Sequence, residues 1–207
     1  TEPGSENEIH KLSAYISGLD QAGNIDHIEK FMRLIRNVIT SKKGFVELSC
    51  LSDLLTASPA IITKNNLDLR STLSGSLREV NETIRMLIAK IYGILLAYGS
   101  DDKIFNDEIR SLASTSQKSL EYQHGSILAL SYGFYYRILY FRQTDDDMGL
   151  AQLLASQELS DSITYLVKLL TDVKSLLTLA AIKGISLIGC SIAVSYTHLT
   201  LPTFYSV

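Results

Sequence analysis

Residues 84–93 read IRMLIAKIYG, and forty positions later residues 124–133 read HGSILALSYG. Alanine, tyrosine and glycine recur at identical offsets, as Ala89, Tyr92 and Gly93 and again as Ala129, Tyr132 and Gly133, with Ile88 answered by Leu128. In both stretches the apolar residues step by three and four, which gathers them on one face of a helix. Small residues at Ala89 and Ala129 let neighbouring helices approach, and bulky residues fill the groove between them. A third, looser copy follows as Ala180, Ala181, Gly184, Ile185, Ile188 and Gly189, displaced because the acidic stretch Thr144 to Asp147 lengthens its repeat. A helix pair recurring at about 40 residues is the mark of HEAT and armadillo arrays. The expected fold class is therefore all-α, an α-solenoid of HEAT/armadillo-like antiparallel helix pairs.

Outward from these copies the same stepping fills most of the chain. Ile9, Leu12, Ile16 and Leu19 share one helix face, and Ile25, Ile28, Met32, Ile35 and Ile39 share the next. Gly23 and Asn24 turn between those two, and Lys42, Lys43 and Gly44 close the second with cations and a terminal glycine. Phe45, Leu48, Leu51 and Leu55 give a third helix stopped near Pro59, while Leu69, Leu73 and Leu77 give a fourth. A long fifth carries Ile84, Ile88, Ile91, Leu95 and Tyr98; beyond the turn at 99–102 come Phe105, Ile109 and Leu112, then a long helix from about Ser119 to Phe141. Leu159, Ile163, Leu166 and Leu170 mark one further helix and Leu176 to Cys190 the last. Of the 3 prolines only Pro59 lies mid-chain, so little forbids these helices.

The ends read differently. Residues 1–8 are polar, lack a basic-then-apolar leader pattern, and are expected to be disordered. Residues 9–194 are expected to form the repeats, about four to five helix pairs from a longer solenoid. Residues 195–207, SYTHLTLPTFYSV, abandon the helical pattern and resemble translated sequencing-adapter read-through, so a non-native tail is expected there.

Composition narrows the function classes. Across 207 residues, 19 Lys plus Arg stand against 22 Asp plus Glu, a formal charge of -3. Neutralising phosphates takes a clear excess of cations, so nucleic acid is not the expected partner. The 46% hydrophobic content suits a packed fold and not a disordered chain. Cys50 and Cys190 lack CxxC spacing, lie in apolar stretches, and read as core residues of a protein from a reducing compartment.

The segment Leu120 to Phe141, LEYQHGSILALSYGFYYRILYF, resembles a HEAT repeat of the Ecm-type family of proteasome adaptor and scaffold proteins. QHGSILAL, Gln123 to Leu130, carries the core of the resemblance, followed by Gly133 and an aromatic-basic helix end. VNETIRMLIAKIYG before it and SLLTLAAIKGISLIG after it extend the likeness over roughly Ser76 to Cys190, although Thr144 to Gly149 is shorter than the charged linker usual in the family. The resemblance implies a long solenoid that binds the 26S proteasome, tethers it to other components and supports its assembly or quality control. It implies a scaffold and not an enzyme, in the cytoplasm with nuclear residence left open. Another HEAT carrier, as in nuclear transport, is the alternative reading.

No residue constellation points to chemistry. His10, His27, His124 and His198 occur singly, without His-x-x-x-His or Glu-x-x-His spacing, and His124 reads as a helix-end hydrogen-bond partner. Phosphate-cradling glycine motifs are missing, so no catalytic, metal, cofactor or small-molecule site is expected. Asp145, Asp146 and Asp147 read as a solvated loop, because adjacent like charges prefer water. Tyrosine and arginine are favoured anchors of protein interfaces, which makes Tyr135, Tyr136, Arg137, Tyr140 and Arg142 the candidate partner surface. Finally, Leu176 to Val194 is 19 residues with Lys183 as its one charge, close to a bilayer's span. A mid-span lysine costs about 2.5 to 3.5 kcal/mol, so a buried solenoid helix is the preferred reading over membrane insertion.

Overall fold

The computed structural model describes residues 44–64, 67–171 and 174–199, with positions 18 and 30 besides. The two helices expected over Ile9 to Ile39, the polar stretch 1–8 and residues 200–207 lie outside the described residues. The elements are α1 (Phe45–Ala57), α2 (Pro59–Lys64), α3 (Leu67–Ser74), a 3-10 turn (Gly75–Arg78), α4 (Glu82–Gly99), α5 (Asp102–Ala113), α6 (Leu120–Gln143), α7 (Asp147–Leu154), α8 (Gln157–Leu169) and α9 (Ser175–Leu199). No strand occurs among the described residues.

The helices form two layers of a solenoid. The three long helices stack in chain order, α4 on α6 and α6 on α9, and each of them is the second helix of a pair: α3 with α4, α5 with α6, α8 with α9. The shorter helices build the other layer, where α5 meets α8, and α1 and α2 cover the outer side of α4. Polar residues set where the helices begin. Asn81, Asp101, Ser119, Asp146 and Ser156 each accept a hydrogen bond from the backbone N–H three residues on, satisfying donors that the first turn leaves orphaned. Each such cap contributes about 1 kcal/mol.

The sequence copies meet one another at the helix contacts. A Cβ placed on Gly93 would stand 2.5 Å from the Tyr132 Cβ and 2.8 Å from the Gly133 nitrogen, so the glycine of one copy is seated on the tyrosine and glycine of the next. Gly184, from the loose third copy, is seated on the Ser131 side chain. Ala89 and Ala129 are fully buried beside these contacts. The two contacts share one device, a small residue where two long helices approach closely, set against backbone at Gly93 and against a side chain at Gly184.

Four expectations change. Pro59 does more than end a helix: it opens α2, where its fixed φ suits the first helical position and no donor is lost. The stretch read as a short linker contains α7, which starts at Asp147 under the Asp146 cap. Cys190 is exposed and Cys50 is half-buried, so neither is a closed core thiol. Lastly α9, expected to be buried, has 33% of its Ser175–Ala193 window buried, and its backbone helix runs on to Leu199, into the string read as a tail. By length and composition alone that window is long and apolar enough to cross a membrane.

Candidate interaction surface

The aromatic-basic end of α6 is positioned by the long apolar helix it closes, and helical geometry splits its side chains between neighbours. Tyr136 and Arg137 are only 6% and 5% exposed, which corrects the expectation that they stand on a partner surface. Tyr136 turns toward α1, where its hydroxyl lies 3.5 Å from the Thr56 hydroxyl and its ring stands edge-on to Tyr135 at 5.0 Å. Burial pushes the Tyr136 phenol up to about 12.

Arg137 turns toward the junction of α4 and α5. It donates to the Ala97 carbonyl at 2.6 Å, the Ser100 carbonyl at 3.0 Å and Asp102 Oδ1 at 2.5 Å. Its guanidinium also lies 5.0 to 5.2 Å from the ring centroids of Phe105, Tyr140 and Phe141. A cation here meets the negative end of α4 and the faces of three rings, both favourable, so the residue works as a clamp on the turn between repeats.

Tyr135, Tyr140 and Arg142 are the half-buried members of the predicted set. Tyr140 stands edge-on to Tyr98 with centroids 5.3 Å apart, and Tyr98 in turn donates to Gln143 Oε1 at 2.7 Å. Arg142 reaches α9 and donates to the Ser191 carbonyl; burial holds its guanidinium below the usual arginine range. The five residues are therefore not one patch. They radiate from α6 toward α1, α4, α5 and α9, and three of them keep part of their surface open.

The deepest polar contact between the long helices was not legible as a pair. Arg85 and His124 are 2% and 3% exposed, and Arg85 Nε donates to His124 Nδ1 at 2.9 Å. Arg85 also donates to the carbonyls of Glu79, at 2.5 Å, and Val80, at 3.1 Å. Burial first, and the Arg85 charge second, hold His124 well below its ordinary value, at about 4, so the imidazole is neutral and can accept. The reading of His124 as a hydrogen-bond partner thus gains a specific donor. The pairing aligns with the repeat, since the two residues are 39 positions apart, but nothing in the residue types announces it.

The described residues contain no group of three or more His, Cys, Asp or Glu placed to hold a metal ion. What the geometry offers is surface: an open face on α9, where Leu179 is 64% exposed and Ile182 is exposed beside it, and the half-buried end of α6.

Comparison with known proteins agrees with that architecture. A family model described as "ECM29, ARM-like repeats" matches residues 8–188. The proteasome-associated protein ECM29 homolog of Drosophila melanogaster is 31% identical over 193 residues, which is 93% of this chain and 10% of that relative. The chain therefore spans about a tenth of the length of the curated relative it matches. No solved structure matches it.

Proposed function

The chain belongs to the ECM29 ARM-like repeat family, and from that premise we propose that it serves as a non-enzymatic, protein-binding section of a scaffold that associates with the 26S proteasome. The observation that carries the reading is the likeness to a relative named for proteasome association, which runs through 93% of this chain and so takes in both layers of the solenoid. The physics of the fold supports it: each repeat buries one side against its neighbours and leaves the outward residues free to meet another protein over an extended surface. Linking the proteasome to other components, or supporting its assembly and quality control, is the proposed role of that surface. The proposed site of action is the cytoplasm, with the nucleus as a second compartment.

The test is direct. The 207-residue chain and the gene product that contains it, each affinity-tagged, are mixed with purified 26S proteasome and resolved by native gel and gel filtration. Co-migration that a non-family helical-repeat protein of similar size does not show is the expected result. Free migration of both forms at micromolar proteasome would remove the proposal.

A further inference from the structure

The three long helices approach one another closely at a single level of the stack. There Gly93 of α4 is seated on Tyr132 of α6, and Gly184 of α9 on the adjacent Ser131. Close approach brings the side chains beside those glycines together: Lys90, one turn before Gly93, and Lys183, next to Gly184. The Lys183 ammonium lies 5.7 Å from the centroid of the Tyr132 ring, within reach of a cation–π contact. Its charge is felt at Lys90 too, whose ammonium is held below the ordinary lysine range by burial first, with Asp53 of α1 opposing the shift and Lys183 adding to it. Helices far apart in sequence thus deliver two cations and a phenol to one place.

That place lies on the open side of the long-helix layer. Phe134 stands edge-on to Phe105 of α5, and Gly133 lies against Ile109, so these residues occupy the α5 side of α6. Tyr132, Tyr135 and Leu139, spaced by three and four, fall on the opposite side, where each is half-buried. Lys90 and Lys183 are half-buried with them. Among the described residues, no acceptor takes a hydrogen bond or ion pair from either ammonium, and none takes the Tyr132 hydroxyl. Asp53 offsets part of the Lys90 charge from the α1 side. Two ammonium groups against that carboxylate leave the patch positive, on a chain whose formal charge is -3.

We propose that this face docks an acidic segment of a partner protein, one that sets a glutamate or aspartate carboxylate between the Lys90 and Lys183 ammonium groups and against the Tyr132 hydroxyl. A carboxylate accepts only, at about four lone-pair sites, so it takes all three donors and brings no donor of its own that needs a partner. It also relieves the repulsion between the two lysines, and the bonds it makes are charge-assisted. A basic segment would add like charge to the patch and is selected against. The inference goes beyond proteasome association: peptide binding and proteasome co-migration are separate measurements, and either can fail while the other succeeds.

The experiment uses the full chain and a fluorescein-labelled peptide carrying paired glutamates, read by fluorescence anisotropy. Saturable binding is expected, weakening as salt screens the charges. The same peptide with glutamines in place of glutamates should not bind. Lys90→Gln and Lys183→Gln should each weaken binding about threefold, and the two together about tenfold. Lys183→Arg keeps the cation and should retain binding. Lys103→Gln with Lys168→Gln, which removes two exposed cations of α5 and α8, should change nothing. Tyr132→Phe removes the hydroxyl while leaving the ring carbons seated at Gly93, so it keeps the fold if the lysine variants do not, and should weaken binding about twofold. Equal affinity for the glutamate and glutamine peptides, no anisotropy change at millimolar peptide, unchanged affinity in Tyr132→Phe or in the Lys90 and Lys183 double variant, or an equal loss in the Lys103 and Lys168 pair would each overturn the proposal. A single-stranded oligonucleotide that binds more tightly than the peptide, and loses that binding in the Lys90 and Lys183 double variant, would overturn it in favour of phosphate.

Discussion

The helices α6 and α9 are nearly equal in length, 24 and 25 residues, yet they live in different surroundings. The more apolar of the two is the less buried. Along α6 even Gln123, His124, Ser126, Ser131 and Arg137 are withdrawn from water, because α4 packs on one side, α9 on the other and α5 beneath. Along α9, whose Ser175–Ala193 window carries the single charge Lys183, only the side that meets α6 and α8 is covered: Leu177, Ala180, Ala181 and Ile188 are buried while Leu179 and Ile182 are not. Burial in a stack is decided by how many neighbours a helix has, not by its hydrophobicity. A middle helix must accommodate every polar residue it carries, and α6 does so by giving each one a partner, with Ser126 the exception among these five.

The harshest way to break this difference is to push α6 off its neighbour. Gly125 faces the Leu77 backbone so closely that a Cβ there collides with the carbonyl, and backbone cannot step aside as a side chain can. Gly125→Val is expected to cost about 3 kcal/mol, the upper part of the range for overpacking, read as a lower denaturation midpoint at unchanged slope. A loss below about 1 kcal/mol would mean that the 3-10 turn yields and the contact is loose.

Removing the Arg137 clamp comes next. Arg137→Met keeps apolar contact with Phe105 and Phe141 but deprives the Ala97 and Ser100 carbonyls of their donor. Asp102 remains exposed to water, so the expected loss is about 2 kcal/mol, less than for breaking a fully buried pair. Amide hydrogen exchange should speed selectively at residues 97–102 as the turn between repeats loosens; uniform exchange would refute the clamp.

A pH series sharpens the comparison at the buried polar pair. His124 has its proton affinity lowered in the fold, at about 4 against an ordinary 6.5, so the unfolded chain takes up a proton in that window and the folded chain does not. Stability is therefore full above about 6.5 and falls as pH drops toward about 4, with Arg85 and Lys183 opposing protonation and Glu82 favouring it. His124→Asn keeps an acceptor for Arg85 Nε, costs about 1 kcal/mol at neutral pH, and flattens the dependence between those values. A thermal midpoint whose slope between pH 4 and 6.5 is the same in wild type and variant would show that another group governs the window.

The smallest effect belongs to the open side of α9. Leu179→Lys and Ile182→Lys are expected to change stability by less than about 0.5 kcal/mol, as exposed substitutions do. A larger loss, or a fall in sedimentation coefficient on substitution, would show that this face is covered by association between copies.

Much of the fold was legible because helices report themselves locally. The stepping of Ile84, Ile88, Ile91 and Leu95 and the absence of proline from the long stretches each act within a few residues, and α4 and α6 follow from them. The short helices were harder. α2 and α7 hold 6 and 8 residues, too few for an apolar period to emerge, so only Pro59 and the Asp146 cap mark them. The candidate surface was half legible: tyrosine and arginine at the end of α6 identify a place where contacts concentrate, but Tyr136 and Arg137 make theirs inward.

Sequence alone determined that this is a repeating helical chain, since period, caps and small-residue spacing are properties of neighbours along the backbone. Tertiary structure decided which faces those helices spend on one another. Gly93 against Tyr132, Arg85 against His124 and Arg137 against Asp102 each join residues about 35 to 40 positions apart. Such contacts depend on the rotation and separation of whole helices, which the summed packing of the stack fixes and no local pattern encodes.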